Sequence, residues 1–385
     1  MKPLLILNDL HIGVKRSAGT TPATQVALRQ SILTRLRELL DAAFCADEAK
    51  DVLILGDLFD EFTVELADLW ETLDIFASWL STSGSRLILV RGNHDWSPKA
   101  DRLSSFDLLA SCLQRMYYEQ VSIIREGMTL ISKQVFIIPH MPNQDLFDME
   151  LDKAIELASS VQAGVPLYLL THCNVLPPAC HGQRDHSLNI DMDRAVQLTK
   201  HFTILNAHEH QHQFHNIGRG IYCLGNQIPT SVADCMAKGA AQSDGIKYAH
   251  EINDQGVVKH PVWDAINEFS RIDWRELDQP IVDTVKFVRI EGSALAEESS
   301  RAVDAIARFR NQSDAFVVSN AVRVEGQEGV EDAAAATFEG LKSFDVLEAL
   351  LGELNPEERM VIELVMNDGP APSPAVAKFL EGVEA

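Results

Sequence analysis

The chain has 385 residues, 56 acidic against 33 basic side chains, and a formal charge of −23. That length predicts two or three folding units or one large core with appendages, and 46% hydrophobic with 23% charged residues excludes disorder throughout. No uncharged apolar run approaches the roughly 20 residues a membrane helix requires, and phosphate backbones repel a polyanion unless a local basic groove, bound cations or a basic partner offsets the charge.

The opening MKPLLILNDLHIG is broken by Asp9 and His11 and is followed by no small-residue cleavage site, so it reads as a first strand, Leu4 to Leu7, and not as a signal peptide. Six cysteines without a C-x-x-C pair are too sparse for a disulfide framework, and a reducing cytoplasm is expected, a host's if the chain is phage-encoded. Val26, Leu33, Leu36, Leu40 and Phe44 recur at helical spacing, as do Leu66, Leu69, Leu73, Phe76 and Leu80; both stripes read as core. Between and after them come short runs apolar on both faces: Asp51 to Leu55, Arg86 to Val90, Val135 to Ile138, Leu167 to Leu170, Thr203 to Leu205 and Ile221 to Leu224. Strands alternating with amphipathic helices predict an α/β domain over residues 1–280. From 226 to 280 the pattern is weaker, with one hairpin signal at Asn253-Asp254-Gln255-Gly256. Thr284 to Ile290, Glu297 to Phe309 and Ala315 to Val324 then read as strand, helix and strand, a small α+β unit over 281–325. Residues 326–385 carry 13 acidic against 3 basic side chains and read as a helical pair, opened a second time at Asn355-Pro356. Such an acidic tail either packs on its own domain or docks a partner.

Five clusters place metal-ligating side chains directly after apolar runs: Asp9-Leu10-His11, Gly56-Asp57-Leu58-Phe59-Asp60, Gly92-Asn93-His94-Asp95, His172, and His208-Glu209-His210. Strand ends are where open α/β sheets build ligand sites. In an extended segment residues i and i+2 share a side, so Asp9 with His11, and His208 with His210, can each aim two ligands into one space while Glu209 points away. Carboxylates, imidazoles and one amide oxygen form a mixed O/N set suited to Mn²⁺, Fe²⁺ or Zn²⁺. Seven ligands exceed the need of one tetrahedral ion and suit two ions sharing a carboxylate, a pair able to clamp both oxygens of an in-line phosphoryl displacement.

The ordered set D-x-H, G-D-x-x-D, G-N-H-D, H and H-x-H resembles the metallophosphoesterase (calcineurin-like) superfamily over residues 9 to 210. The resemblance implies an α/β/β/α sandwich with two divalent ions, Mn²⁺ first and Fe²⁺, Zn²⁺ or Mg²⁺ as alternatives. It implies that Asp9, His11, Asp57 and His210 hold one ion and that Asp57, Asn93, His172 and His208 hold the other. His94 is then expected to contact the scissile phosphate and assist the leaving group, oriented by Asp60. Thr171 and Ala207 stand where the superfamily often carries glycine. Within the superfamily, Asp9-Leu10-His11-Ile12-Gly13, Gly56-Asp57-Leu58-Phe59-Asp60 and Tyr222-Cys223-Leu224-Gly225-Asn226 look like the nuclease subunit of SbcCD-type and phage recombination complexes. That likeness implies a DNA exonuclease or endonuclease, homodimeric, with 281–325 as a DNA-capping domain and the C-terminal helices docking an SMC-like ATPase. The alternative is a stand-alone phosphatase acting on a phosphoprotein, nucleotide or small phosphoester.

Of the remaining residues, His140 reads as a loop or substrate-lining histidine, His212 and His215 as histidines supporting or flanking the site, and Cys173 as a buried thiol on the face opposite His172. Arg91 and the other basic residues near the motifs read as scattered surface charge. Most tryptophans read as packing, with Trp96 able to reach a base.

Overall fold

The computed structural model describes residues 2–15, 21–44, 49–96, 102–162, 164–176, 188–231, 234, 246–264, 268–279 and 285–325. The predicted C-terminal helical pair, 326–385, lies outside the described residues. In chain order the elements are β1 (Leu4–Leu7), α1 (Pro22–Phe44), β2 (Asp51–Leu55), α2 (Leu66–Ser83), β3 (Leu87–Val90), α3 (Ser105–Met116), β4 (Val121–Ile124), β5 (Thr129–Leu130), β6 (Val135–Ile138), α4 (Gln144–Ser159), β7 (Tyr168–His172) and β8 (Asn174–Val175). They continue with β9 (Asn189–Ile190), α5 (Met192–Leu198), β10 (Thr203–Ala207), β11 (Gln213–His215), β12 (Ile221–Cys223), β13 (Ile246–Asn253), β14 (Gly256–Asp264), β15 (Phe269–Asp273), β16 (Phe287–Leu295), α6 (Ser299–Gln312) and β17 (Phe316–Glu325).

Two six-stranded sheets form the centre, ordered β14-β13-β1-β2-β3-β4 and β11-β12-β10-β7-β6-β5. The four strands β1 to β4 run parallel, as do β12, β10, β7 and β6. Strand alternation explains why these runs are apolar on both faces. Leu4, Ile6, Leu53, Leu55, Ile88 and Val90 pack with Val135, Ile137, Leu170 and Leu205 in one core layer between the sheets. The intervening Leu5, Leu7, Val52, Ile54, Leu87 and Leu89 pack with Leu36, Phe76, Leu80 and Phe106 of α1, α2 and α3. On the second sheet, Phe136, Ile138, Leu169 and Ile204 face Phe147, Leu151 and Leu198 of α4 and α5. The result is the expected α/β/β/α sandwich, two sheets flanked by helices. Helix starts are held by side chains: Ser104, Asn143 and Asp191 accept hydrogen bonds from the backbone N–H groups of Asp107, Leu146 and Arg194.

The weakly patterned stretch contributes the antiparallel pair β13 and β14, turned at Asn253–Gly256 and joined to the first sheet through β1. Its apolar pattern is diluted because β13 alternates Ala249 and Ile252 with buried His250, Lys247 and Glu251. After it, β16, α6 and β17 follow the predicted strand–helix–strand order. The chain divides into two compact units, 1–291 with 304–321 and 292–303 with 322–385. In the second, the Leu295 N–H donates to the Glu298 carboxylate at 3.1 Å and fixes the start of a short 3₁₀ turn. Among the described residues no helix is long and apolar enough to cross a membrane.

Candidate metal centre and active site

All five predicted clusters sit at the carboxyl ends of β1, β2, β3, β7 and β10. The backbone reaches the site by left-handed turns and not by the extended alternation expected from i, i+2 spacing. Among the described residues five non-glycine positions have positive φ, and four of them are predicted ligands: Asp9 (50°), His11 (44°), Asp57 (48°) and His208 (88°). Side chains rarely accept this region, and such strain clusters at functional sites. The turns are tied together by Asp9 N–H to Gly56 O at 3.2 Å, His11 N–H to Asp57 O at 3.1 Å and a parallel bridge between Ile12 and Phe59. Two glycines make room: a Cβ on Gly56 would stand 2.2 Å from His172 Nδ1, and one on Gly92 would stand 2.2 Å from the Asp57 nitrogen.

One cluster joins Asp9, His11 and His210. His210 Nδ1 lies 2.9 Å from the Asp234 carboxylate and must carry the proton, so Nε2 presents a lone pair, 3.0 Å from Nε2 of His11. His11 Nδ1 is 3.1 Å from Asp60 Oδ1. Asp9 is fully buried; Oδ2 accepts from Asn8 Nδ2 and from the His208 N–H at 3.0 Å, while Oδ1 has no hydrogen-bond partner. Two imidazole nitrogens and an orphaned carboxylate oxygen in one buried space are donors of the kind that fit a cation.

The second cluster joins Asp57, His172 and His208, with Asn93 among them. His172 Nδ1 donates to Leu55 O at 3.1 Å, which turns Nε2 toward Asn93 Oδ1 at 2.8 Å and Asp57 Oδ2 at 3.3 Å. His208 Nδ1 is 3.1 Å from the same Asn93 oxygen. Lone pairs converge here too, and electrostatics registers the need for positive charge. Burial disfavours protonation of His172, yet the Asp57 charge and hydrogen bond outweigh it and lift its pKa to about 9. Burial likewise opposes ionisation of Asp57, but His172 first, then His11 and His94, hold its carboxyl well below the usual range. Asp57 Oδ2 also lies 3.9 Å from Nε2 of both His11 and His94, between the two clusters.

His94 is partly exposed, its backbone N–H donating to Asp57 Oδ1 at 2.9 Å and its ring edge-on to His11. Its Nδ1 contacts the main-chain oxygen of Asp60, so the backbone of that residue orients the ring while its carboxylate addresses His11. Asp95, in the same block, accepts from the N–H groups of Gly92, Phe59 and Leu58 and pins the two loops together; burial first, then the charge of Asp57, pushes its pKa up to about 7. A pocket of about 350 Å³ opens beside His94, lined by Asp60, Glu61, Phe62, Asn93, His94 and Trp96.

Thr171 and Ala207 are buried without positive φ, so a Cβ is tolerated where related motifs carry glycine, and the Thr171 hydroxyl donates to Asn206 Oδ1 at 2.8 Å. Cys173 is buried, its thiol pKa raised by that burial. Arg91 is not surface charge: it is buried, which lowers its pKa, and its carbonyl accepts the His140 N–H at 3.0 Å. Trp70, in contrast, is exposed.

Sequence reasoning missed Asp234. Its Oδ2 accepts from Thr230 N at 2.8 Å, Thr230 Oγ1 and Ser231 N at 3.0 Å and Asn226 Nδ2 at 3.0 Å, leaving Oδ1 for His210. Burial opposes its ionisation, but the His210 hydrogen bond and charge keep its pKa far below the carboxylate norm. Buried Lys247 completes the support, donating to Asn226 Oδ1 at 2.6 Å, Asp234 O at 2.7 Å and His210 O at 3.3 Å. No motif surrounds Asp234, and nothing in its spacing announces a partner for His210.

Residues 2–212 match the family model described as Calcineurin-like phosphoesterase. No curated protein matches. Among solved structures, the protein TT1561 of Thermus thermophilus is 12% identical over 68% of this chain and 99% of its own, with a TM-score of 0.38. Pseudomonas putida nuclease MPE is 19% identical over 45% of this chain and 62% of its own, at a TM-score of 0.23. A protein serine/threonine phosphatase from Saccharomyces cerevisiae with similarity to human phosphatase PP5 is 14% identical over 67% of this chain and 79% of its own, at a TM-score of 0.32. At such scores these likenesses say nothing about substrate.

Proposed function

Because the chain belongs to the calcineurin-like phosphoesterase family, we propose that it is a metal-dependent phosphodiesterase cutting DNA, the nuclease subunit of an SbcCD-like complex. The observation that carries a diester over a monoester is the pocket beside His94: the described residues that line it are two acidic residues, two aromatic rings, an amide and an imidazole, with no lysine or arginine among them. A phosphomonoester brings close to two negative charges at neutral pH, since its second pKa is about 6, whereas a diester brings one. The exposed Glu61 therefore repels the monoester more.

Asp9, His11, Asp57 and His210 would hold one cation, and Asp57, Asn93, His172 and His208 the other, with Mn²⁺ the first choice for such an O/N set. When bound, the pair supplies Lewis-acid charge to the phosphoryl oxygens and acidifies a water. The chain's own contribution follows from its hydrogen bonds. Asp234 and the Leu55 carbonyl keep the protons of His210 and His172 on Nδ1, so both Nε2 atoms stay available as ligands. The Asp60 carbonyl holds His94 by Nδ1 and leaves Nε2 facing the site to give a proton to the leaving oxygen. In this reading residues 281–325 cap the DNA, 326–385 dock an SMC-like ATPase, and the nuclease pairs as a homodimer.

A phosphatase acting alone would use the same residues, and the charge of −23 favours it by discouraging unaided DNA binding. With Mn²⁺ the purified chain is expected to degrade DNA and to hydrolyse bis(p-nitrophenyl) phosphate faster than p-nitrophenyl phosphate. Asp57→Ala and His94→Ala should each lower that rate by about 100-fold or more. Retained turnover in either variant removes the mechanism, and a faster monoester reaction selects the phosphatase.

A further inference from the structure

The pocket beside His94 has two walls whose chemistry the phosphoryl reaction does not use. One is Phe62, on the loop after β2; the other is Trp96, on the loop after β3. Both rings are partly exposed, beside a centre otherwise built of imidazoles and carboxylates. Each is mounted on a fixed support. The Phe62 carbonyl accepts the Ser105 N–H at 2.9 Å and the Val64 N–H donates to the Ser105 hydroxyl at 3.0 Å, which anchors that loop to the start of α3. Trp96 directly follows Asp95, whose carboxylate pins both loops, and its ring lies 6.3 Å, centroid to centroid, from that of buried His140. Burial, then the neighbouring His172, pushes the His140 pKa down to about 3, so the ring behind Trp96 is neutral.

The exposed Glu61 on the same rim turns away a second phosphate, so what the described lining offers a ligand is ring faces and not lysine or arginine. A volume of about 350 Å³ is at the small end of ligand pockets, which begin near 300 Å³. The ligand group that is flat, uncharged and attached one sugar away from a phosphate is a nucleobase. We propose that Phe62 and Trp96 clamp the base adjacent to the scissile phosphate, a subsite that selects nucleic-acid diesters over simple alkyl ones while tolerating any base sequence. Every base has a π-face, and mounted rings lose little freedom on stacking. The proposal rests on the phosphodiesterase reading above and goes further than it.

The test compares the dinucleotide dTpdT with two analogues, each lacking one base, as substrates for the full chain with Mn²⁺. Loss of the base on one side is expected to lower kcat/KM by roughly 5- to 100-fold, mostly through KM, in line with the stacking of one base on an aromatic residue. Trp96→Ala should lose a similar factor on dTpdT and become indifferent to the missing base, while Trp96→Phe keeps the discrimination. Equal rates on all three substrates overturn the clamp and leave the phosphodiesterase intact. A second measurement needs no turnover: thymidine should quench tryptophan fluorescence of the metal-free chain, with Phe62→Ala weakening Kd by roughly 5- to 100-fold and Trp96→Ala abolishing the quench. If no diester is cut, the phosphodiesterase reading falls by itself, and this binding assay alone upholds or overturns the aromatic subsite.

Discussion

His172 and His250 are both fully buried on strands of the central sandwich, yet their surroundings treat them oppositely. His172, at the end of β7, has Leu55 O on one nitrogen and Asn93 and Asp57 on the other, and its pKa rises to about 9. His250, in the middle of β13, packs against the rings of His212 and Tyr222, has no hydrogen-bond partner on either nitrogen, and falls to about 3 through burial, then the charges of His212 and Lys259. Burial lowers both; a carboxylate within reach decides the outcome. One histidine is thus equipped to meet positive charge, and the other is a neutral ring carried at the edge of the inter-sheet core at the cost of two unmet hydrogen bonds.

The contrast is broken most severely at Gly56. Alanine there needs an unfavourable φ of 80° and a Cβ inside the His172 ring, so Gly56→Ala should destabilise the chain by about 3 kcal/mol or more, seen as a lower urea midpoint; a near-neutral result would mean that the ring is not held as described. Asp234→Asn is next. It keeps the shape but removes the charge behind His210 and beside buried Lys247, so Mn²⁺ affinity by titration calorimetry should weaken roughly 10- to 100-fold, and the urea midpoint at pH 7 should fall as well, because the depressed pKa of Asp234 makes its charge a source of folded-state stability there. An unchanged affinity would reduce Asp234 to a loop brace.

His250→Leu sharpens the other side. Its folded pKa of about 3 lies below the unfolded value of about 6.5, so the unfolded chain takes the proton first as the pH drops. Stability is fully present above pH 6.5 and drains away as the pH falls toward 3, by about 2 kcal/mol at pH 5 from this residue. The variant should therefore show a shallower loss between pH 7 and pH 5 in urea unfolding, with His140 still contributing its own share. Parallel curves for the two proteins would show that His250 is solvated in the folded chain.

Much of this site is visible in the chain's own text because function there forces both residue type and place. Asp57 and Asn93 stand next to glycines at strand ends, and the strands feeding them, buried on both faces, are apolar runs. The parts that escaped have weaker signatures. Asp234 acts through one hydrogen bond to His210 from a segment without pattern. β13 is masked by His250, Lys247 and Glu251, buried polar residues within a strand. The ring wall at Phe62 and Trp96 follows from where two loops meet, a matter of three-dimensional packing. Even the i, i+2 spacing of Asp9 and His11 led to the correct neighbours by a conformation other than the one expected, since left-handed turns do the aiming.

Those turns link cation binding to the melting of the sandwich. Holding Asp9, His11, Asp57 and His208 at positive φ costs roughly 1 kcal/mol apiece, and converging lone pairs add mutual repulsion. Any ion that seats there favours the native chain by mass action, so heat resistance and divalent supply become one variable for this enzyme.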